Sequence, residues 1–220
     1  MIAKLVIVRH GLTEWTKRFT GWIDIDLAPE GIEMTKKYAL RLKKEKIKFD
    51  FAYSSVLKRG YKTLEIVLEV INQKNLKIIK DWHLNERHYG DLQGQEKPEV
   101  VKKYGEEQVN LWRRSFDVAP PNGESLKDTY NRVIPYFKAE IEPKLFNGKN
   151  VILSGHSNSI RALVKYLDNL SDQEIVKVNI PYCIPLIYEF ENKKLIKHYY
   201  LASDKEVNQI IESIKNQLKN

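Results

Sequence analysis

The first apolar run of the chain ends in charged residues, and this pattern constrains the fold more than any other feature. Residues 5–8 are four consecutive aliphatic residues, which predicts a strand buried on both faces. Arg9, His10 and Gly11 follow at once. In open α/β sheets, ligands bind in the crevice outside the carboxyl ends of the strands. We therefore expect Arg9 and His10 to face such a crevice.

The same pattern recurs late in the chain, where the apolar residues 151–154 lead into Gly155 and His156. Amphipathic segments of helical period lie between the predicted strands, and they predict helices at residues 30–46, 124–146 and 160–170, the second of them bent at Pro135. Alternation of strands and helices predicts an α/β fold with a mainly parallel central sheet and helices on both faces. Right-handed crossovers would then bring all carboxyl ends to one edge.

The chain of 220 residues predicts one domain spanning residues 1–220, because no linker, repeat or low-complexity segment divides it. Residues 205–220 form a C-terminal tail with an apolar helical stripe. Such a tail could dock on the body or close over a site as a lid, and periodicity alone leaves both open.

The net charge of +8 raises the question of a polyanionic partner. The lysines fall in pairs on helix-like segments, which is typical of solvated faces, whereas several arginines lie near strand ends and loops. This distribution favours small phosphorylated anions over nucleic acid. No apolar run reaches the length of a membrane span, and we expect no membrane partner and no signal peptide. The single cysteine, Cys183, is consistent with the cytoplasm.

At the predicted edge the sequence brings together His10, His156, Arg9, Arg59 and Glu86. Guanidinium groups bind phosphoryl oxygens through paired hydrogen bonds, so the cluster favours a phosphate pocket. One neutral imidazole can attack phosphorus, the second can donate to the developing charge, and the carboxylate can move a proton. No metal-ligand motif accompanies them, and we expect no metal.

Longer motifs around these residues resemble one family. They are RHG at the first strand end, FTGW at 19–22, FAYSSVLKR at 51–59, LNERHYGDLQG at 84–94, YGEEQVNLWRR at 104–114 and NSIRALVKYLDNL at 158–170. Together they are similar to the histidine phosphatase superfamily, and within it most closely to the cofactor-dependent phosphoglycerate mutases. The resemblance spans nearly the whole chain.

The resemblance implies that His10 is the phosphorylated nucleophile, that Glu86 is the general acid/base, and that Arg9, Arg59 and His156 form the phosphate pocket. It implies 2,3-bisphosphoglycerate as the priming phosphoryl donor, phosphoglycerates as small-molecule partners, and a role in glycolysis and gluconeogenesis. The residues implied to hold the substrate are Thr16, Thr20, Gly21, Tyr89, Lys97, Arg113, Arg114, Ser157 and Asn158.

Several positions depart from the family pattern. Thr16 stands where an asparagine is usual, Ser157 replaces a glycine, and the loop before Phe19 is shorter. Between Pro121 and Glu124 the insertion of the longer mutases is missing. Two alternatives to a mutase therefore stay open, a phosphatase of the same superfamily and a non-catalytic anion-binding module. For the assembly, a homodimer and a monomer are both compatible with the sequence.

Overall fold

The protein, described here by a computed structural model for residues 2–215, is built around one sheet of six strands. Three of the sheet's strand pairings are parallel and two are antiparallel. The strands are β1 (Ala3–Arg9), β2 (Phe51–Ser54), β3 (Ile78–Lys80), β4 (Val151–Gly155), β5 (Leu186–Glu191) and β6 (Lys194–Tyr200). Their order across the sheet is β3-β2-β4-β1-β5-β6. The predicted mainly parallel α/β sheet is confirmed.

Helices pack on both faces of this sheet, as predicted. They are α1 (Pro29–Lys44), α2 (Lys58–Val70), α3 (Lys97–Tyr104), α4 (Glu106–Arg114), α5 (Leu126–Tyr136), α6 (Glu142–Phe146), α7 (Ser157–Leu167), α8 (Asp172–Ile175) and α9 (Asp204–Lys215). None of the helices within residues 2–215 combines the length and apolar composition needed to cross a bilayer.

The first strand shows why its sequence is apolar without interruption. Leu5 and Ile7 belong to the core that includes residues of α5 and α7, whereas Val6 and Val8 belong to the core that includes residues of α1 and α2. Successive side chains of a strand point to opposite faces of the sheet. Because helices cover both faces here, the side chains at 5–8 are all buried and therefore all apolar. The buried sheet thus gives a rigid base for the residues at its carboxyl edge.

Two predicted helices differ in the structure. The predicted helix at 160–170 begins earlier, at Ser157, because His156 has an extended backbone and the helix starts directly after it. The predicted helix at 124–146 begins at Leu126, and it is interrupted by a π turn at Phe137–Ile141 instead of at Pro135, which lies inside α5. Pro143 lacks the N–H that would continue the α-helical hydrogen bonds, and the helix changes register just before it.

The C-terminal segment forms helix α9, which packs on the body. Val207 and Ile214 lie in a small core with Tyr38 and Tyr182. Arg41 of α1 holds Glu206 through two hydrogen bonds of 2.6 and 2.9 Å. Of the predicted tail at 205–220, residues 216–220 lie outside the described residues.

Candidate active site

The carboxyl ends of β1 and β4 place the two histidines side by side. Arg9 pairs with Gly155 in the parallel register, and the His10 N–H donates to the Gly155 carbonyl at 3.0 Å. The His10 and His156 ring centroids are 5.0 Å apart. Gly11 lets the chain leave the strand, since a Cβ at this position would lie 2.6 Å from the Gly31 carbonyl oxygen.

The environment of His10 favours a neutral ring that can act as a nucleophile. Its Nδ1 lies 2.7 Å from the Gly11 carbonyl oxygen, which can only accept, so Nδ1 carries the proton and Nε2 keeps its lone pair. Burial, together with the charges of Arg59 and Arg9, holds the pKa of His10 well below its ordinary value. At neutral pH the ring is therefore uncharged and reactive.

The second histidine is held through its Nε2. The Ser55 hydroxyl accepts from the Leu57 N–H at 3.3 Å and lies 2.7 Å from His156 Nε2. We infer that this hydroxyl donates to Nε2, which places the imidazole proton on Nδ1. His156 Nδ1 is buried and has no hydrogen-bond partner among residues 2–215. Burial, with the charge of Arg59, also holds the pKa of His156 well below its ordinary value.

We expect Ser55→Ala to slow phosphoryl transfer by about tenfold, because a hydrogen bond that selects the His156 tautomer is lost. Single-turnover measurement of His10 phosphorylation would show the effect. Ser54→Ala is the matched control, since the buried Ser54 hydroxyl donates to the Ser154 carbonyl at 3.1 Å instead. Equal rates in the two variants would contradict the assignment of Ser55.

Glu86 presents one anchored and one available oxygen. Its Oε1 accepts from the Arg87 N–H at 2.8 Å, from the Asn158 N–H at 3.0 Å and from Asn158 Nδ2 at 3.0 Å. Within residues 2–215, the other carboxylate oxygen accepts no hydrogen bond. The Arg87 guanidinium donates to the Trp112 carbonyl and the Tyr89 hydroxyl instead of pairing with this carboxylate. An anchored carboxylate with one available oxygen suits proton transfer.

Two arginines supply positive charge next to the histidines and also hold loops. Arg59 is fully buried and donates to the Gly21 and Ile23 carbonyls at 2.6 and 3.0 Å, and burial lowers its pKa to about 10. Gly21 has a φ of +52°, a conformation that favours glycine. Arg9 donates to the Ile180 carbonyl at 2.7 Å and lies 3.6 Å from the centroid of the Tyr182 ring.

A second cluster of cations comes from α3 and α4. Burial, with the charges of Arg113 and Arg9, lowers the pKa of Lys97 to about 7, and its Nζ donates to the Thr16 carbonyl at 2.6 Å. Burial likewise lowers the pKa of Arg113 to about 10. It also lowers the pKa of Arg114 below its ordinary value. Cations held in a desolvated cluster are stabilised by a bound anion.

The two clusters line one cavity of about 120 Å³, which brings together almost all of the predicted site residues. His156 is the exception, being fully buried beside the His10 ring. The predicted residues that line the cavity are Arg9, His10, Thr16, Thr20, Gly21, Arg59, Glu86, Tyr89, Lys97, Arg113, Arg114, Ser157 and Asn158.

Residues that sequence reasoning missed also line the cavity, among them Arg161, Tyr182 and Ile214. Arg161 could have been found from the sequence, because it is the one charged residue in the otherwise apolar run 160–164. Tyr182 and Ile214 carry no such signal, since an aromatic or aliphatic residue is ordinarily a packing residue. The proximity of both to the cavity depends on the tertiary fold.

Unpartnered buried donors show which ligand the cavity suits. Arg9 Nε, His156 Nδ1 and Arg161 Nε are buried and have no hydrogen-bond partner among residues 2–215. Buried polar groups ordinarily have partners, so such donors indicate an acceptor-rich ligand. Among residues 2–215, Glu86 is the only carboxylate that lines the cavity, and the cations that line it are more numerous. The residues present therefore fit a small, multiply charged anion such as a bisphosphorylated acid.

Comparison with known proteins indicates the family of the chain. Residues 5–200 match the model of the histidine phosphatase superfamily (branch 1). The 2,3-bisphosphoglycerate-dependent phosphoglycerate mutase of Treponema denticola is 46% identical over 244 residues, which cover 98% of this chain and 99% of the relative. The enzyme of the same name from Hamiltonella defensa is 44% identical, covering 99% of both.

These alignments are longer than the chain itself, so the relatives carry residues that it lacks, as expected from the missing insertion. The phosphoglycerate mutase structure from Bacillus anthracis shares the fold with a TM-score of 0.70 at 24% identity, covering 89% of this chain and 91% of that one. The chain belongs to the histidine phosphatase superfamily (branch 1), where it is similar along its whole length to the 2,3-bisphosphoglycerate-dependent phosphoglycerate mutases.

Proposed function

We propose that this enzyme interconverts 3-phosphoglycerate and 2-phosphoglycerate through a phosphoryl group carried on His10, in glycolysis and gluconeogenesis. One observation carries the proposal. A neutral histidine, a carboxylate with an available oxygen and the cations Lys97, Arg113 and Arg114 line the same cavity. A phosphatase needs the first two, whereas the extra cations suit a substrate with a carboxylate as well as a phosphate. The two mutase relatives support the same activity.

In the proposed reaction His10 Nε2 attacks phosphorus, and the bond from phosphorus to the leaving oxygen breaks. Negative charge on the phosphoryl oxygens is stabilised by Arg9, by the charge of Arg59 and by the His156 Nδ1–H. When bound, 2,3-bisphosphoglycerate supplies the phosphoryl group that primes His10. The residues present fit it, because unpartnered donors and the two cation clusters would meet its two phosphates and its carboxylate.

Glu86 provides the proton transfer that the cations cannot. As the phosphoryl group passes from the glycerate oxygen to His10 Nε2, the protonated carboxyl donates its proton to that departing oxygen. In the return step the carboxylate takes the proton of whichever hydroxyl attacks the phosphohistidine. We infer that Tyr89, Lys97, Arg113 and Arg114 hold the glycerate while either hydroxyl reaches His10.

The central experiment incubates the enzyme with 3-phosphoglycerate and trace 2,3-bisphosphoglycerate, and measures 2-phosphoglycerate and free phosphate together. A mutase forms the isomer with little phosphate release and depends on the trace bisphosphate. Fast phosphate release with little isomer would identify the phosphatase alternative. The missing insertion between Pro121 and Glu124 is the observation that favours that alternative. No turnover of either kind would indicate the anion-binding module.

We further propose that the tail acts as a cover of the cavity, since Ile214 of α9 lines it. Arg41→Ala removes the ion pair with Glu206 that holds α9 to α1. We expect the KM for 3-phosphoglycerate to rise severalfold with little change in kcat, and proteolysis of the tail to speed up. Lys36→Ala is the control, because its ion pair with Glu33 lies within α1 and is exposed. An unchanged KM in Arg41→Ala would contradict a covering role.

The assembly and cellular location stay predictions. The exposed Ile79 on the edge strand β3 supports a homodimer, because an unpaired strand edge can pair with another copy. A glycolytic activity and the free, buried Cys183 support a cytoplasmic enzyme.

A further inference from the structure

Arg161 is a cationic side chain buried inside the apolar part of α7. It is 3% exposed, and its neighbours Ile160, Ala162 and Leu163 are fully buried. Burial lowers the pKa of Arg161 to about 9, with the charges of Arg87 and Arg114 acting in the same direction. A cation in this position destabilises the fold unless its hydrogen bonds compensate. Its hydrogen bonds therefore show what the residue does.

Two hydrogen bonds hold the Arg161 guanidinium in place. Nη2 donates to the Ile175 carbonyl at 2.8 Å, which ties the side chain to α8. Nη1 donates to Asn158 Oδ1 at 3.1 Å, one helical turn earlier. The other end of the same amide, Asn158 Nδ2, donates to Glu86 Oε1 at 3.0 Å. Asn158 thus lies between the guanidinium and the carboxylate.

The orientation of this amide decides how Glu86 is held. An amide has an oxygen and a nitrogen of nearly equal size, so rotation by half a turn is sterically easy. In the rotated form Asn158 Oδ1 would face Glu86 Oε1, and two acceptors would meet without a proton. A guanidinium carries only donors, so Arg161 excludes the rotated form.

We propose that Arg161 is a positioning residue for proton transfer. By fixing the Asn158 amide, it keeps Glu86 Oε1 anchored and leaves the second oxygen for the substrate. The inference rests on the proposed role of Glu86 as general acid/base. The charged and titratable groups that act on Glu86 or bind its backbone come from three helices and its own loop. They are Arg59 from α2, Arg87 and Tyr89 from that loop, Arg132 from α5 and Arg161 from α7.

Two substitutions separate the hydrogen bond from the charge. Arg161→Met removes both, whereas Arg161→Gln removes the charge but keeps an amide donor that can reach Asn158 Oδ1 from the next turn. We expect Arg161→Met to lower kcat by about tenfold to a hundredfold. The acidic limb of its pH profile should move to higher pH, because the carboxylate of Glu86 loses a donor. Arg161→Gln should restore part of kcat and part of that shift, because its amide can donate to Asn158 but carries no charge.

Lys165→Met is the matched control. Lys165 lies one turn further along α7 and donates to the Leu170 carbonyl at 2.6 Å, outside the cavity. Its variant loses a helix cation without touching Asn158, and we expect wild-type kcat and an unchanged pH profile. If Arg161→Met does not fold, Arg161→Lys takes its place. A single ammonium reaches the Ile175 and Asn158 oxygens less well than the two separate Nη groups of a guanidinium, so it should give an intermediate loss of kcat.

A measurement made without substrate tests the role of Arg161 independently of the reaction that the enzyme catalyses. The ¹³C signal of the Glu86 carboxyl, assigned by its loss in Glu86→Gln, is titrated in each variant. A midpoint at higher pH in Arg161→Met, and between that value and the wild-type value in Arg161→Gln, would support the positioning role even if the enzyme proved not to be a mutase. A midpoint unchanged in both, with a raised KM and normal kcat, would overturn it, because Arg161 would then bind substrate directly.

Discussion

His10→Ala abolishes transfer of acid-labile label from radioactive 2,3-bisphosphoglycerate to the protein and lowers kcat by on the order of 10⁴-fold or more. Alanine leaves no atom in the cavity that can hold the phosphoryl group. The residual rate would come only from the cations and donors that bind the transition state. Labelling followed by acid treatment measures the first effect, and the coupled assay of 2-phosphoglycerate measures the second.

His198→Ala is the control for this experiment. His198 lies on β6 and is paired with Asp168 at 2.8 Å, away from the cavity. Its variant should label as the wild type does. Label that persists in His10→Ala would show that another residue is the nucleophile, and His156 would be the first to test.

Glu86→Gln should lower kcat by about 10²–10⁴-fold, because general acid/base catalysis contributes this much. Glutamine has the same size, and its oxygen can still accept from the Arg87 and Asn158 donors that hold Oε1. The substitution therefore removes the transferable proton while leaving the site assembled. Steady-state kcat and the single-turnover rate of His10 phosphorylation both measure the loss.

A donor with an acidic leaving group separates the chemical role of Glu86 from a structural one. Phosphorylation of His10 by 4-nitrophenyl phosphate needs no proton on the departing oxygen. Glu86→Gln should slow this reaction much less than it slows phosphorylation by 2,3-bisphosphoglycerate. An equal loss of rate with both phosphoryl donors would mean that the variant disrupts the pocket. It would contradict the proton-transfer role of Glu86.

Sequence reasoning succeeded where a local pattern has one structural solution. The aliphatic residues 5–8 predict a strand covered on both faces, and Leu5 and Val6 indeed point into different cores. The motifs around Glu86 and Arg113 named residues that the structure brings to the same cavity. Reasoning failed at 124–146, since hydrophobic periodicity does not register a π turn.

The sequence by itself determined the type of sheet, the set of reactive side chains and the superfamily, because apolar periodicity and contiguous motifs are properties of neighbouring residues. Only the tertiary structure decided how each side chain is held. Ser55 meets His156 from another strand, and Ile214 reaches the cavity from the far end of the chain. Arg161 reaches Glu86 only through Asn158. A hydrogen bond forms only where the tertiary fold brings a donor and an acceptor together in the right orientation. When the two lie on elements distant in sequence, no local sequence pattern predicts that orientation.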